Sequence, residues 1–405
     1  MARIVFASPA PPMKTGTARY LSLFLEECGD ILRDHQPVIV APSGLGAPNP
    51  SLRGIPIVSD RDYCPAENDV LFIFVANNRF HKFVFSILER RKKSSRVISI
   101  IHDPQSFMNV DHIQRNLGRK YDPEGMVKDL KFEIPNLREW IMSRWQQAGL
   151  PQILKFNLMA QSRIIEASDV MVVHSYYAAL KLLLESGHGV ERMPPILVMQ
   201  HPRDPSIEGH PLLPRGRKFV VGCFGWISQA KRPIPIISGF SRSLSSLPAH
   251  EREAVELKFV GELTQKSLDP SVLAQAYGCE KNCVHLGHVS DERFLREMST
   301  VNIMFNLRFP SCGETSGTLN LAKEMGIRVA MTNYQAFKEE NADFLISLAP
   351  DKEVDEICAA ITAVYRDWIA GNATTSRAPS PRYALPKKFD ARQALQWVLS
   401  QEAAA

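Results

Sequence analysis

Residues Asn306 to Thr332 read NLRFPSCGETSGTLNLAKEMGIRVAMT, and the order of element types within this stretch decides the fold. A strand ends near Leu307, a loop carrying Pro310 and Gly313 comes next, a helix starts at about Ser316-Gly317, and the apolar run IRVAMT gives a further strand. A strand that returns through a helix to a second strand is a parallel unit, because parallel pairs need a long crossover. The helix start also has chemistry. Small residues and backbone N–H groups at a helix N-terminus form an anion site suited to a diphosphate. Glu314, beside such a site, makes no sense as a phosphate ligand but does as an acceptor for sugar hydroxyls one bond further along. A plainer reading of the same residues is a capped helix, with Thr315 and Ser316 as caps and Glu314 at the favourable end of the dipole. Residue chemistry leaves both open.

The same grammar extends upstream. KFVVGCFGW (218–226), ELKFVGEL (256–263), VHLGHV (284–289) and VNIMFNL (301–307) read as strands, with helices at RPIPIISGFSRSL and from about Asp291. The first half repeats it, with strands at the N-terminus, PVIVA (37–41), DVLFIFVA (69–76), RVISII (96–101) and DVMVVH (169–174). Helical patterns ARYLSLFLEECGDIL, HKFVFSILERR and SYYAALKLLLESG lie between several of them. Near-continuous apolar strands alternating with helices are the mark of parallel sheets covered on both faces. HPRDPSIEGHPLLPRGR (201–217), with four Pro and two Gly and no apolar period, is the linker candidate. The expected organisation is therefore α/β, two Rossmann-like domains at 1–205 and 206–385. A terminal helix in 386–405 (FDARQALQWVLSQ) would pack back on the first domain. The span 103–167, with Trp140 and Trp145, breaks the rhythm and reads as a helical insertion, either a plain extension of the first domain or an acceptor-binding element.

The 405 residues are 45% hydrophobic and 22% charged, enough for two buried cores and incompatible with a disordered chain. A net charge of +5 is too small an excess to argue nucleic-acid binding. Seven scattered Cys make no disulfide framework and fit a reducing compartment. No run approaches the roughly 18 to 20 apolar residues of a membrane span. Ile4 to Ala7 is only a strand's length, and Pro9, Pro11 and Pro12 interrupt the chain directly after it, so no signal peptide is read. The expectation is a cytoplasmic protein.

Familiar fingerprints are missing. Gly44-Leu45-Gly46-Ala47-Pro48-Asn49 lacks the third glycine of a dinucleotide loop and has Pro where its helix should start. There is no P-loop and no nucleophile elbow. Cys279, Cys283, His285 and His288 fit within ten residues, too tight for two zinc-ligand pairs, and read as core or surface positions. Three other places have chemistry. In GCFGWISQAKR (222–232) a strand runs into a glycine turn at Gly225, and Lys231-Arg232 open a helix. Cations are misplaced at that dipole end, so they suggest a pyrophosphate. Gly16, in PPMKTGTARY, sits where a strand hands over to a helix. His102-Asp103 and the cluster Asn77, Asn78, His81 come after strands at the carboxyl edge where open parallel sheets bind ligands.

Together these residues resemble the retaining glycosyltransferases of the GT-B fold, glycosyltransferase family 4, in a branch found in bacterial surface-polysaccharide synthesis. The likeness covers most of the chain. It is strongest from about Lys218 to Thr332, centred on GETSG (313–317) with Gly326 downstream, and weaker at PPMKTGTARY, VANNRFH, IIHDP and ASDVMVVHS. The resemblance implies two domains facing a cleft and transfer of a sugar from a nucleotide-sugar, with retention of configuration, to a hydroxyl of a glycan or lipid-linked glycan. It implies no metal, and no cofactor beyond the nucleotide-sugar, which is a substrate. By position, Lys231 with Arg232 would hold the donor diphosphate and Glu314 would face the donor sugar. The Thr315, Ser316, Gly317 and Thr318 backbone would meet sugar and phosphate. Gly16 and Gly225 would give close approach, His102 would touch the sugar, and His288 and Val289 would lie by the base. Asn78, His81 and Asp103 are the acceptor candidates. One departure is plain: the family's second Glu, which grips the ribose, falls on Ala322 counted from Glu314 or Leu321 counted from Gly326, with Glu324 offset.

Arg90, Arg91, Lys92 and Lys93 end an apolar helix face. They read either as a dipole-favoured cationic helix end or as a dock for anionic membrane on the inner face of the cell membrane. The rival functions are a GT-B-fold nucleotide-sugar epimerase or phosphorylase, and a non-catalytic nucleotide-sugar-binding subunit of a polysaccharide assembly complex.

Overall fold

A computed structural model describes residues 3–43, 50–106, 159–212, 216–372, 375–376 and 385–401, without the Arg79 side chain. Most of the expected 103–167 insertion, including Trp140 and Trp145, lies outside the described residues. The chain divides into two compact units: Met1–Arg203 with Cys312–Thr315 and Pro386–Ala405, and Asp204–Ser311 with Ser316–Leu385.

The first unit holds eight strands: β1 (Arg3–Ala7), β2 (Gln36–Ala41), β3 (Ser51–Leu52), β4 (Ile55–Ser59), β5 (Val70–Val75), β6 (Arg96–Ile101), β7 (Val170–Val173) and β8 (Ile196–Val198). Their order is β3-β4-β2-β1-β5-β6-β7-β8, with every pair parallel except β3–β4. β5 is buried along its whole length, as expected of a strand covered on both faces. One core lies under the Phe83–Arg90 and Tyr176–Glu185 helices. The opposite face packs the Gly16–Glu27 helix and Ala391, Ala394, Leu395 and Val398 of the terminal helix Ala391–Ser400. That helix opens with a capping box at Asp390 and Gln393.

The second unit has six parallel strands: β9 (Phe219–Phe224), β10 (Val255–Val260), β11 (Cys283–His285), β12 (Ile303–Asn306), β13 (Arg328–Thr332) and β14 (Phe344–Ile346). Their order is β11-β10-β9-β12-β13-β14. One face packs the helices Pro233–Ser245 and Glu353–Ile369, the other the helices Asp291–Ser299 and Gly317–Glu324. The reading of two parallel-sheet domains holds. Four short strands, β3, β4, β8 and β14, and the seventeen-residue Glu353–Ile369 helix add to the elements read from sequence. The helix has an apolar face at Ile357, Ile361, Val364 and Trp368, each side chain contributing roughly 1.5–3 kcal/mol by burial.

In each sheet the chain starts centrally, builds one flank, and then crosses to the other. The crossing lies between β1 and β5 in the first unit and between β9 and β12 in the second. Ligands of open parallel sheets bind outside the carboxyl ends of the strands at that switch point. Among the described residues no helix is long and apolar enough to cross a membrane.

Candidate functional site

In the second unit the switch point is bounded by the ends of β9 and β12, that is, by Gly225 and Asn306. Gly225 has φ +87°, and a Cβ there would lie 2.8 Å from the Lys231 Nζ and 3.5 Å from Thr318 Cγ2. Gly261, at the end of β10, has φ +150°, and its Cβ would stand 2.1 Å from the Gly225 carbonyl oxygen. Only glycine allows these two strand ends to cross so closely. The Gly261 amide continues the row by donating to the Gly287 carbonyl at 2.9 Å. The carboxyl edge of β9, β10 and β11 is thus a floor of bare backbone. His288 is exposed beside it and Val289 is packed against the core.

Asn306, 3% exposed, links this floor to the helix Gly317–Glu324. Its Oδ1 accepts from Ser316 Oγ at 2.9 Å and Thr318 Oγ1 at 3.3 Å, and Ser316 caps the helix by accepting from the Leu319 amide. The Asn306 Nδ2 is buried without a partner. Turning the amide over would merely leave the oxygen in that state, so one amide atom is unsatisfied either way. Open space surrounds Gly317 at the first position of the helix.

The Lys231 ammonium donates to the Phe224 carbonyl. Burial holds its pKa well below the ordinary lysine value, and Arg308 pushes the same way. The charged and polar groups acting on Lys231 are Arg308 and the Cys223 thiol; no carboxylate is among them. Arg232 differs. It adopts φ +58° at the helix start, and its Nε donates to Glu353 Oε1 at 2.9 Å while Nη2 donates to Oε2. The adjacent cations of the sequence therefore have separate environments, Arg232 on a buried carboxylate and Lys231, among the described residues, on none.

Glu314 and Thr315 belong to the first unit, whereas Ser316, Gly317 and Thr318 belong to the second. Glu314 Oε2 accepts from the Cys312 amide at 2.7 Å, which folds the side chain back over its own turn. Thr315 Oγ1 lies 2.6 Å from His201 Nε2. Asn77 donates through Nδ2 to the Cys312 sulfur at 3.7 Å and through its amide to Asp103 at 2.6 Å.

His102 is the residue after β6, His174 the residue after β7, and His201 lies three residues beyond β8, so three neighbouring strands each send an imidazole to one edge. Tyr20 packs against all three at ring separations of 4.5, 5.2 and 5.5 Å. Burial lowers the pKa of each, His201 to about 4; neighbouring imidazoles add to the effect on His102 and His174, and the Lys388 ammonium adds to it on His174 and His201. The Nε2 atoms of His102 and His174 are buried without partners. His174 and His201 were not among the expected site residues; a His closing an apolar strand run, as in DVMVVH, is the signal that points to the first.

His81 is fully buried. Its Nδ1 lies 2.7 Å from the Phe74 carbonyl, which can only accept, so Nδ1 carries the proton and Nε2 accepts from Thr17 Oγ1 at 3.0 Å. Thr17 is bonded in turn to Thr15, which caps the Gly16–Glu27 helix. With both nitrogens engaged, His81 is a strut that fixes the Gly16 turn at the first unit's switch point, and no nitrogen remains to meet an acceptor. Open space surrounds Gly16. Asn78 caps a short turn by accepting from the Phe80 amide.

No family model matches this sequence, and no curated protein does. Solved structures share its architecture. HepE from Anabaena, in complex with UDP and glucose, aligns over 100% of both chains at 13% identity with a TM-score of 0.58. Sucrose-phosphate synthase from Thermosynechococcus elongatus aligns over 100% of both chains at 13% identity with a TM-score of 0.64. The fold is GT-B. AviGT4, a glycosyltransferase involved in avilamycin A biosynthesis, has the same GT-B architecture at 12% identity and a TM-score of 0.55, over 100% of this chain and 98% of its own. Within this GT-B chain, of the two positions where the resemblance would put a second Glu, Ala322 is fully buried and Leu321 packs on the core. Cys279 is buried, and the His285 Nε2 lies 2.9 Å from the Gly261 carbonyl. Among the described residues no group of three or more His, Cys, Asp or Glu is set to hold a metal ion.

Proposed function

We propose that the protein is a retaining glycosyltransferase that takes a nucleotide-sugar donor on its second unit and passes the sugar to a hydroxyl of a glycan or lipid-linked glycan. The observation that carries this reading is the half-buried Lys231 ammonium, on which no carboxylate acts among the described residues and which stands across Gly225 from Thr318 at the start of the Gly317–Glu324 helix. A buried cation without an anion is unfavourable by itself. It becomes favourable when a diphosphate arrives, and more so as the leaving nucleoside diphosphate gains charge.

In the reaction the bond from the sugar anomeric carbon to the phosphate oxygen breaks, and a bond to the acceptor oxygen forms on the same face. The acceptor proton passes to the departing diphosphate. Lys231 and the helix N-terminus stabilise the charge without a metal. Glu314 faces the sugar hydroxyls, and His102 presents its unpartnered Nε2 to the sugar. Gly16, held by the Thr15–Thr17–His81 chain, leaves the first-unit turn open to a close-approaching group. The glycine floor at Gly225 and Gly261 receives the nucleotide, with His288 and Val289 by the base. Asp103 and Asn78 are the acceptor-side groups.

A lipid-linked acceptor fits Lys92 and Lys93, which are exposed. Arg90 and Arg91 donate to backbone carbonyls while keeping their charge, so all four cations would favour the anionic inner face of the cell membrane. All seven cysteines are free thiols, in keeping with a cytoplasmic reducing compartment. The test is Glu314→Ala assayed for sugar transfer and for nucleotide-sugar binding. Turnover should fall about a hundredfold or more, the size of effect seen when one preorganised polar group is removed. Unchanged turnover would remove Glu314 from the mechanism, and binding without any transfer by the parent protein would make the chain a non-catalytic subunit.

A further inference from the structure

The turn that carries Glu314 is tethered by a residue more than a hundred positions away in sequence. We propose that His201 is a positioning residue for the transfer reaction, holding Glu314 in place through its bond to Thr315. The assignment rests on the reading of Glu314 as the group that faces the donor sugar, and deepens it.

The segment Cys312–Thr315 belongs to the first unit. It meets residues that follow four successive strands, β5 to β8. After β5, Asn77 Nδ2 donates to the Cys312 sulfur at 3.7 Å. After β6 and β7, Pro104 and Tyr177 close on Gly313, where a Cβ would stand 3.1 Å from Pro104 Cγ and 2.7 Å from Tyr177 Cε1. With φ +91° and so little room, position 313 takes only glycine. After β8, His201 Nε2 lies 2.6 Å from Thr315 Oγ1. Glu314 itself accepts from the Cys312 amide at 2.7 Å, so the carboxylate is folded over a turn tethered at 312 and at 315. Thr315 follows Glu314 directly, and a hydroxyl held there limits how far the backbone at 314 can turn.

His201 is well supported for this task. The Gln200 amide donates to the Phe389 carbonyl at 2.9 Å and the Arg203 amide to Glu27 Oε2 at 3.1 Å, which fixes the backbone on both sides of it. Its ring packs on His174 and Tyr20 at centroid separations of 4.5 and 5.5 Å. A ring locked by its neighbours positions a second residue with little further loss of entropy. A group displaced by about 1 Å from its working position can cost a hundredfold in rate. Removing one of several tethers should cost less, about tenfold. An interaction used only as the sugar reacts lowers kcat and leaves binding alone.

The experiment measures release of nucleoside diphosphate from UDP-glucose, UDP-N-acetylglucosamine, GDP-mannose and dTDP-glucose, with water and octyl glucoside as acceptors, together with calorimetric affinity for UDP, GDP and dTDP. The variants are His201→Ala, His201→Gln, His201→Asn, Thr315→Val and the His201→Ala/Thr315→Val pair. His201→Ala should lower kcat about tenfold while KM and nucleoside diphosphate affinity stay within about twofold. His201→Gln, whose amide reaches the place of Nε2, should recover most of the loss, and the shorter His201→Asn should not. The double variant should be no slower than the slower single one, because both remove the same bond. If His201→Ala is too unstable to assay, the contrast between Gln and Asn at 201 is read in its place. Turnover unchanged in His201→Ala and His201→Asn overturns this assignment and leaves the transferase reading standing. Losses that multiply in the double variant, or affinity that falls as far as kcat, also overturn it. A parent protein that turns over none of the four donors overturns both.

Discussion

Acid should unfold the first unit, and His81 sets the size of the effect. Its imidazole is fully buried, and burial lowers its pKa from 6.5 to about 4. In the unfolded chain the same ring takes a proton near pH 6.5. Between those two values the unfolded state binds more protons than the folded one, so stability is fully present above pH 6.5 and drains away as pH falls towards 4. At about 1.4 kcal/mol per unit the full loss from His81 alone is roughly 3 kcal/mol, of which about 2 kcal/mol is gone by pH 5. That is a large part of a domain's usual ~5–15 kcal/mol. His102, His174 and His201 are lowered in the same direction and add to the slope. Repulsion between the rings keeps protons off the folded state, so their coupling steepens the loss rather than softening it. The assay is urea unfolding followed by circular dichroism at pH 7.5, 6.0 and 5.0, with His81→Gln as the comparison. The parent should lose at least about 2 kcal/mol from pH 7.5 to 5.0, and His81→Gln should start less stable but lose correspondingly less. A parent whose midpoint does not move over that range, or a His81→Gln slope equal to the parent's, would refute the reasoning.

Other substitutions test the second unit. In Gly261→Ala the new Cβ meets the Gly225 carbonyl oxygen at 2.1 Å, and backbone cannot yield cheaply, so thermal unfolding should show a loss of about 3 kcal/mol or more. Lys231→Met should leave the unliganded protein as stable as before, or stabler by roughly 1–3 kcal/mol, because it removes a half-buried cation on which no carboxylate acts among the described residues. The same variant should lose nucleoside diphosphate binding, which a calorimeter reads directly. Thr318→Val deletes one of the two hydroxyls that hold Asn306 and should cost about 1 kcal/mol in thermal unfolding together with some donor affinity.

What could be read from the sequence was the part written locally. The apolar run at 96–101 is a strand to the residue, IRVAMT (327–332) is one from its second residue on, and Ser316 caps the helix that GETSG opens. β4 was hidden by Pro56 within a five-residue strand, and β14 by its three-residue length. The Glu353–Ile369 helix carried a clear 3.6-residue apolar period and needed only to be looked for. The site was harder, because its grouping depends on strand order. That Gly225 and Asn306 flank one switch point results from β12 lying beside β9 rather than beside β11, which no local pattern states. Arg232 looked like a phosphate ligand because its anion, Glu353, is 121 residues away in sequence. His81 was placed at the right edge, but its two bonds to Phe74 and Thr17 turn it inwards.

The central claim is that the second unit receives a nucleotide-sugar through Lys231, and ligand-dependent melting against UDP-, GDP- and dTDP-sugars tests it most directly. At a hundred times its dissociation constant a true donor stabilises by about 2.7 kcal/mol, a shift of roughly 5 °C or more for a unit of this size. At least one donor family should give that shift in the parent protein and none in Lys231→Met. No shift with any of them, or an equal shift in Lys231→Met, would contradict the claim.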